Sequence, residues 1–185
     1  DSVVWKSCLE LNFEGIENPI METILYGDTV IDGIVWKIFN EPWSKGLIRT
    51  EGAKVLFKPY PGYQTHVISE GVIYDFSLDV GDIFEGKEGV NAGIKVTQID
   101  SVELNDGKKH KKLSFEHDYS CIEGLGNDTR EPFYMIHMVW PTMPSISTLM
   151  CCHVDGELLY MNPDYSDCDG GKVGNENIIT EEHQK

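Results

Sequence analysis

Four short turn sequences, each lying between two β-forming runs, constrain the fold of this chain more than any other feature. They are Asp32-Gly33, Glu51-Gly52, Asn105-Asp106-Gly107 and Asp155-Gly156. Glycine adopts positive φ without steric cost, and Asn or Asp tolerates it better than most residues, so such sequences favour tight hairpin turns. The sequence therefore predicts four antiparallel hairpins in chain order.

The runs beside these turns alternate between apolar and polar residues, as expected for strands with one buried face. Examples are Trp36 with Ile38, Val55 with Phe57, and Leu113 with Phe115. No stretch shows the capped apolar stripe of an amphipathic helix. We predict an all-β fold, nearly free of helix, in which an antiparallel meander of about ten strands closes into a barrel or a two-sheet sandwich.

The composition of the chain changes near Pro163. Residues 164–185 are rich in Gly, Asp, Glu and Asn, and Val173, Ile178 and Ile179 are their aliphatic residues. A segment with so little to bury is typical of a partly disordered tail. The sequence thus predicts a single β domain over residues 1–163, followed by an acidic tail over residues 164–185.

The charge of the chain narrows the range of its partners. Fifteen Lys and Arg residues against 31 Asp and Glu residues give a formal net charge of −16. A negative field of this size repels phosphate backbones and anionic membrane surfaces, so nucleic acid is not an expected partner. The charge does not exclude cations, sugars or basic protein surfaces as partners. We expect a monomer.

Two features suggest that the protein works outside the cytoplasm. The chain begins with Asp1 rather than Met, which is consistent with a removed signal peptide or with a boundary of another kind. Cys152 and Cys168 flank a predicted hairpin and a turn-rich stretch, and an oxidising compartment would allow a disulfide between them. Cys151 would then point to the opposite face of the strand as a buried thiol. No apolar run reaches the ~20 residues of a membrane helix.

The sequence predicts no catalytic residue, cofactor site or metal site. The usual hydrolase motifs are absent, and no C-x-x-C or H-x-H pair occurs. His117 and Cys121 share a strand face only if the strand is regular, and Glu116 and Asp118 are one acidic pair among many. The acids Asp164, Asp167 and Asp169 lack the spacing of an EF-hand loop.

Exposed aromatic side chains are the best candidates for contacting a ligand or partner. Tyr60 and Tyr63 lie in the loop-like segment Pro59-Tyr60-Pro61-Gly62-Tyr63, and Trp43 and Trp140 also lie in loop-like contexts. Tyr and Trp combine a large apolar face with a polar atom, so they stack on sugars and anchor protein interfaces. We predict these four residues as possible contacts for a glycan or a protein surface.

Several segments together resemble uncharacterised secreted or lipoprotein-like proteins of Bacteroides and its relatives. The most specific are Tyr74-Asp75-Phe76-Ser77-Leu78-Asp79-Val80-Gly81-Asp82 and Ile122-Glu123-Gly124-Leu125-Gly126, with a Cys152-to-Tyr160 hairpin followed by Cys168. The resemblance implies export across the inner membrane and a place in the cell envelope or outside it. It implies no known catalytic residues.

These observations lead to a functional expectation. We expect a non-catalytic binding or adhesion module of the cell envelope, either periplasmic, surface-exposed or secreted. Two alternatives remain at the level of the sequence: a lipocalin-like carrier of a small ligand, and a hydrolase of glycans or peptides. A closed apolar cavity would favour the carrier, whereas convergent Asp, Glu, Cys or His side chains in a cleft would favour the enzyme.

Overall fold

The chain is an all-β protein built from two curled antiparallel sheets. A computed structural model describes residues 2–11, 19–41, 45–61, 70–86, 93–128 and 145–173. These ranges contain thirteen strands and a single 3-10 turn at Glu116–Asp118, but no α-helix. The described residues also include no helix with the length and hydrophobicity needed to cross a bilayer. The all-β prediction is confirmed.

The larger sheet has eight strands in the order β13-β12-β1-β2-β3-β4-β5-β6. Their bounds are β1 Val3–Leu11, β2 Ile20–Ile31, β3 Ile34–Asn40, β4 Lys45–Glu51, β5 Lys54–Pro59, β6 Gly71–Asp75, β12 Ser145–Val154 and β13 Glu157–Met161. The first six strands form a meander in which each strand pairs with the next. The C-terminal hairpin β12–β13 then returns to the start of the chain, so β1 lies between β2 and β12.

The smaller sheet has five strands in the order β11-β10-β9-β8-β7. Their bounds are β7 Ile83–Phe84, β8 Ile94–Glu103, β9 Lys109–Phe115, β10 Ser120–Ile122 and β11 Gly126–Asn127. Each sheet curls into a half-barrel. The two half-barrels share one core, which combines Phe39, Ile48 and Phe57 of the larger sheet with Leu113 and Phe115 of the smaller one.

All four hairpins predicted from the turn sequences are present, as β2–β3, β4–β5, β8–β9 and β12–β13. In two of these turns both central residues have positive φ: 53° and 77° at Asp32 and Gly33, and 51° and 87° at Asp155 and Gly156. This combination is that of a type I′ turn, whose twist matches the right-handed twist of the flanking strands. The Asp-Gly pairs therefore specify these hairpins locally.

Trp5 of β1 joins the two sheets. Its side chain is buried, and its indole Nε1 donates a 2.9 Å hydrogen bond to the carbonyl oxygen of Leu125, in the turn between β10 and β11. Leu125 is itself buried, so this bond satisfies a polar group that water cannot reach. The contact fixes the position of the smaller sheet over the start of β1.

The residues that follow β13 pack against the larger sheet on the face opposite the shared core. Tyr165 is buried there in a separate cluster with Cys8 of β1 and Met150 of β12. Asn162 attaches this segment to β12, because its backbone N–H donates to the Met150 carbonyl at 2.8 Å and its side chain donates to the Leu149 carbonyl at 2.7 Å. The described chain therefore continues as packed structure to Val173, beyond the predicted domain boundary at residue 163.

The segment Tyr74–Asp82 contains two turns held by aspartate side chains. Asp75 Oδ1 accepts a hydrogen bond from the Ser77 backbone N–H at 3.0 Å, and Asp82 Oδ2 accepts one from the Asp79 N–H at 2.9 Å. Gly81, with a φ of 97°, makes the bend beside Asp82. The segment that carried the family resemblance thus has a sufficient structural role in shaping the connection between the sheets.

Asp75 makes a contribution to stability that depends on pH. Burial acts to raise its pKa, but hydrogen bonds from Ser77 and the ion pair with Lys54, whose Nζ lies 3.1 Å from Oδ2, lower the pKa below its ordinary value. A carboxyl with a depressed folded-state pKa stabilises the protein above its unfolded-state pKa of about 4, and this contribution is lost as the pH falls through the folded-state pKa.

We therefore expect Asp75→Asn to be less stable than the wild type at neutral pH, and this deficit to shrink as the pH falls below about 4. Urea denaturation of both proteins across this range measures the difference. A deficit that stays constant with pH would contradict the assignment, as would one that grows in acid. Asp79→Asn is the control, because its carboxylate makes neither of these contacts.

Candidate functional site

Of the four aromatic residues predicted as contacts, Tyr60 lies within the described chain. It follows the end of β5, where its ring is half-buried and the Lys45 Nζ lies 4.1 Å from the ring centroid. This cation–π contact covers one face of the ring with a side chain of the protein itself. Trp43, Tyr63 and Trp140 lie outside the described residues. Tyr60 thus presents less open surface than the sequence predicted.

The predicted disulfide exists, but its partner in β12 is a different cysteine. Cys168 is bonded to Cys151, and the predicted pair with Cys152 is wrong. Where β12 runs beside β1, Cys152 lies opposite Trp5 and faces the shared core. Cys151 lies opposite Lys6 and faces the side on which the segment after β13 lies. The two neighbouring cysteines do point to opposite faces, but with their roles exchanged.

Removing this bridge is expected to cost about 3 kcal/mol of unfolding free energy, since it closes a short loop across 17 positions. Cys151→Ser and Cys168→Ser should each lower the free energy by that amount, and the double variant should lose no more than either one. Chemical denaturation measures these values, and non-reducing peptide mapping identifies the bridge. Recovery of a Cys152–Cys168 peptide would contradict the assignment.

Two of the three cysteines outside the bridge, Cys121 and Cys152, are poor nucleophiles. Burial, and then the negative charge of Asp128, raises the pKa of the Cys121 thiol, and burial raises that of Cys152 to about 12. His117 is exposed on the 3-10 turn with a φ of 65°, while Cys121 is 1% exposed, and no hydrogen bond joins the two. The structure therefore does not bring together the Cys–His pair considered from the sequence.

The acidic residues near this pair in the sequence do not form a buried site with it either. Glu116, Asp118 and Glu123 all have exposed side chains, on the surface turn before β10 and the turn after it. A general acid–base pair needs its members within hydrogen-bond reach of one reacting group, in a site that limits access by water. These exposed residues do not form a site that limits access by water.

A buried polar cluster that the sequence does not predict surrounds Asp128, the residue after β11. One carboxylate oxygen of Asp128 accepts a short hydrogen bond from Ser120 Oγ, and the other accepts from Lys112 Nζ at 2.6 Å. Ser120 and Asp128 are each only 7% exposed. Both carboxylate oxygens are thus occupied by neighbours, so the cluster holds β9, β10 and the end of β11 together rather than presenting a free base.

The hairpin β2–β3 extends beyond the rest of the larger sheet. Pairing of β1 with β2 ends at Val3 and Leu25, and pairing of β3 with β4 begins at Lys37. Among the described strands, residues 29–31 and 34–36 therefore pair only with each other. The end of the hairpin is a two-stranded ribbon with both edges open in the described part of the chain.

This ribbon carries exposed apolar side chains. Val30 and Val35 face each other across the two strands and are 64% and 57% exposed; we call this pair the hairpin patch. Tyr26 and Ile34, 41% and 39% exposed, lie on the other face of the ribbon. Trp36, in contrast, is buried in the same hairpin, with the Arg49 guanidinium 4.9 Å from its ring centroid. One face of the ribbon is thus anchored to the sheet while the valine pair faces outward.

Acidic residues surround the hairpin patch. Asp28 lies on the same face as the valine pair and forms an ion pair with Lys37, 3.3 Å away, and Asp32 occupies the exposed turn. Single exposed apolar residues are common on proteins, but two facing apolar residues beside open strand edges form a template for association. The hairpin patch is the best candidate contact surface among the described residues.

Comparisons with known proteins do not assign this chain to a group. No protein-family model, no curated protein and no solved structure matches it. The functional argument therefore rests on the geometry of the chain itself.

Proposed function

We propose that this protein is a non-catalytic binding module of the cell envelope or the extracellular space, and that it engages a protein partner through the hairpin β2–β3. The observation that carries the proposal is the outward-facing pair Val30 and Val35, which lies on a ribbon with open strand edges. An extended segment of a partner can add to such an edge through backbone hydrogen bonds, while its side chains contact the valines.

The charge of the chain supports a particular partner chemistry. The net charge of −16, with Asp28 and Asp32 beside the hairpin patch, favours a partner that combines apolar side chains with Lys or Arg. A second copy of this chain would carry the same negative charge, so the repulsion opposes self-association. The proposed occupant is therefore a basic, extended segment of another protein.

The packing of the core favours a binding module over a carrier of small ligands. Phe39 and Phe57 are 1% exposed or less and are packed in the core that the two sheets share. Gly46 on β4 has no room for even a methyl group, because a Cβ there would overlap the rings of Phe39 and Phe57. A carrier instead needs a cavity of several hundred Å³ lined by such residues.

The proposed compartment has independent support. The Cys151–Cys168 bridge is of the kind that persists in oxidising environments. The family resemblance seen in the sequence points the same way, toward exported proteins of Bacteroides and its relatives. Both observations agree with a protein that acts outside the cytoplasm.

The binding proposal can be tested with two matched sets of extended peptides. In one set apolar residues alternate with Lys or Arg; in the other they alternate with Glu. We expect the basic set alone to bind, with an affinity that falls as salt is added. The double variant Val30→Lys/Val35→Lys should weaken binding about 30-fold or more, because it removes the apolar contact and places positive charge against a basic peptide. Fluorescence polarisation measures both effects.

Val80→Lys is the matched control, since Val80 is 61% exposed but lies far along the chain in a turn between the sheets. It should bind like the wild type. Equal loss in both variants would contradict the proposal, and so would binding of the acidic set. A change in molecular mass by light scattering in the hairpin variant alone would instead indicate self-association. Binding to a glycan array that survives the hairpin variant would place recognition elsewhere.

A further inference from the structure

Three potential metal ligands meet where the segment after β13 joins β12. They are Cys151 and His153 of β12 and Cys168, and one ligand atom from each lies within 4.8 Å of the others. The His153 Nδ1 is 4.0 Å from the Cys151 Sγ. Among the described residues, no other group of three His, Cys, Asp or Glu side chains comes together in this way.

The fold explains why these residues meet. Cys151 and His153 are two positions apart on one strand, so regular alternation directs them to the same face. Cys168 reaches that face because the turn around it is tightly held: Asp167 Oδ1 accepts from the N–H groups of Asp169 and Gly171 at 2.8 Å and 3.0 Å. The three side chains are therefore positioned by backbone structure on both sides.

We propose that reduction of the Cys151–Cys168 disulfide turns this cluster into a thiolate–imidazole site for a borderline-soft divalent cation such as zinc. Tetrahedral zinc, with bonds of about 2.3 Å to sulfur and about 2.0 Å to nitrogen, places its ligand atoms roughly 3.3–3.8 Å apart. The 4.0 Å between Cys151 Sγ and His153 Nδ1 is close to this range, and reduction frees the two sulfurs to separate into it. Two thiolates and one imidazole form a donor set that binds such a cation in preference to Mg²⁺ or Ca²⁺, which favour oxygen ligands.

The chemistry balances with a dithiol as the reductant. Two thiol–disulfide exchanges transfer two electrons to the Cys151–Cys168 bond, leave two thiols and convert the dithiol into its cyclic disulfide. Binding of the cation to both sulfurs then releases two protons. Cys168 and His153 are half-exposed, so the fourth coordination position is open to water. The segment after β13 would remain attached to β12 in both redox states, first by a covalent bond and then by a metal.

Cobalt(II) titration of the dithiol-reduced protein under anoxic conditions tests this inference. We expect a sulfur-to-cobalt charge-transfer band with the intense visible bands of tetrahedral cobalt, saturating at equimolar metal and displaced by zinc. Cys168→Ser and His153→Ala should each weaken cobalt binding about 100-fold or more, and the oxidised protein should show no thiolate band. Cys152→Ala, which removes the neighbouring thiol on the other face of β12, should bind like the wild type.

Far-UV circular dichroism accompanies each titration, so that loss of folding is separated from loss of ligands. The inference is overturned if the folded, reduced protein shows no cobalt–thiolate band. It is equally overturned if Cys168→Ser retains full affinity, or if the reduced protein unfolds and metal fails to restore it. These results do not depend on the hairpin patch, because none of the ligands lies on β2 or β3.

Discussion

Replacing Trp5 with alanine is expected to lower the free energy of unfolding by about 4 kcal/mol, among the largest effects of any single substitution in this protein. The change removes a buried indole at the junction of the two sheets and leaves a cavity there. It also deprives the buried Leu125 carbonyl of its 2.9 Å hydrogen bond from the indole. Urea denaturation followed by circular dichroism measures the loss without relying on Trp fluorescence.

Two further variants separate the contributions. Trp5→Phe keeps most of the apolar volume but not the hydrogen bond, so it should cost less, on the order of 2 kcal/mol. Lys6→Ala lies next in sequence but faces the other side of β1, where Lys6 forms ion pairs with the exposed residues Glu22 and Asp169. It should cost less than about 1 kcal/mol. A similar loss in Lys6→Ala and Trp5→Ala would contradict the role assigned to Trp5.

Phe57→Ala is expected to have an effect of similar size, again about 4 kcal/mol. The Phe57 ring is 1% exposed and lies 5.7 Å, centroid to centroid, from the buried ring of Phe39. Neighbouring strands hold both backbones, so the surroundings can only partly close the space that the ring leaves. Thr50→Ala, at an exposed position on β4, is the control and should change stability by less than about 0.5 kcal/mol.

Gly46 provides a second test of the same packing. In the wild type, Gly46→Ala places a methyl group against both phenylalanine rings and should cost about 2 kcal/mol. In the Phe57→Ala background one of these rings is gone, so the added methyl should cost less. Additive effects of the two substitutions would show that Phe57 does not occupy the space in front of Gly46.

Local chemistry explains which parts of the fold were predictable. The glycine-containing turns specify hairpins because their conformations are determined by the turn residues themselves. All four predicted hairpins form. The pairing of β1 with β12 left no such signal. It joins Val3 to Val154, and the turn sequences say nothing about contacts between such distant segments.

The same distinction applies to the disulfide and the hairpin patch. Alternation along β12 correctly places Cys151 and Cys152 on opposite faces, but only the position of the chain after β13 decides which of them meets Cys168. Val30 and Val35 read as ordinary strand residues, since their sequence does not reveal that neighbouring strands stop short of them. The meeting of Cys151, His153 and Cys168 depends on the same position of the chain after β13, so the sequence did not indicate it.

The position of β1 between β2 and β12 has a consequence for how the chain folds. The meander from β2 to β6 can assemble from contacts between neighbours in sequence, whereas β1 acquires its second partner only after residues 145–154 have been synthesised. Joining segments so far apart requires closing a very long loop, which slows folding in β-rich topologies. Until that step, one edge of β1 is left without its strand, and a nascent chain at this stage is the form most exposed to aggregation and most in need of a chaperone.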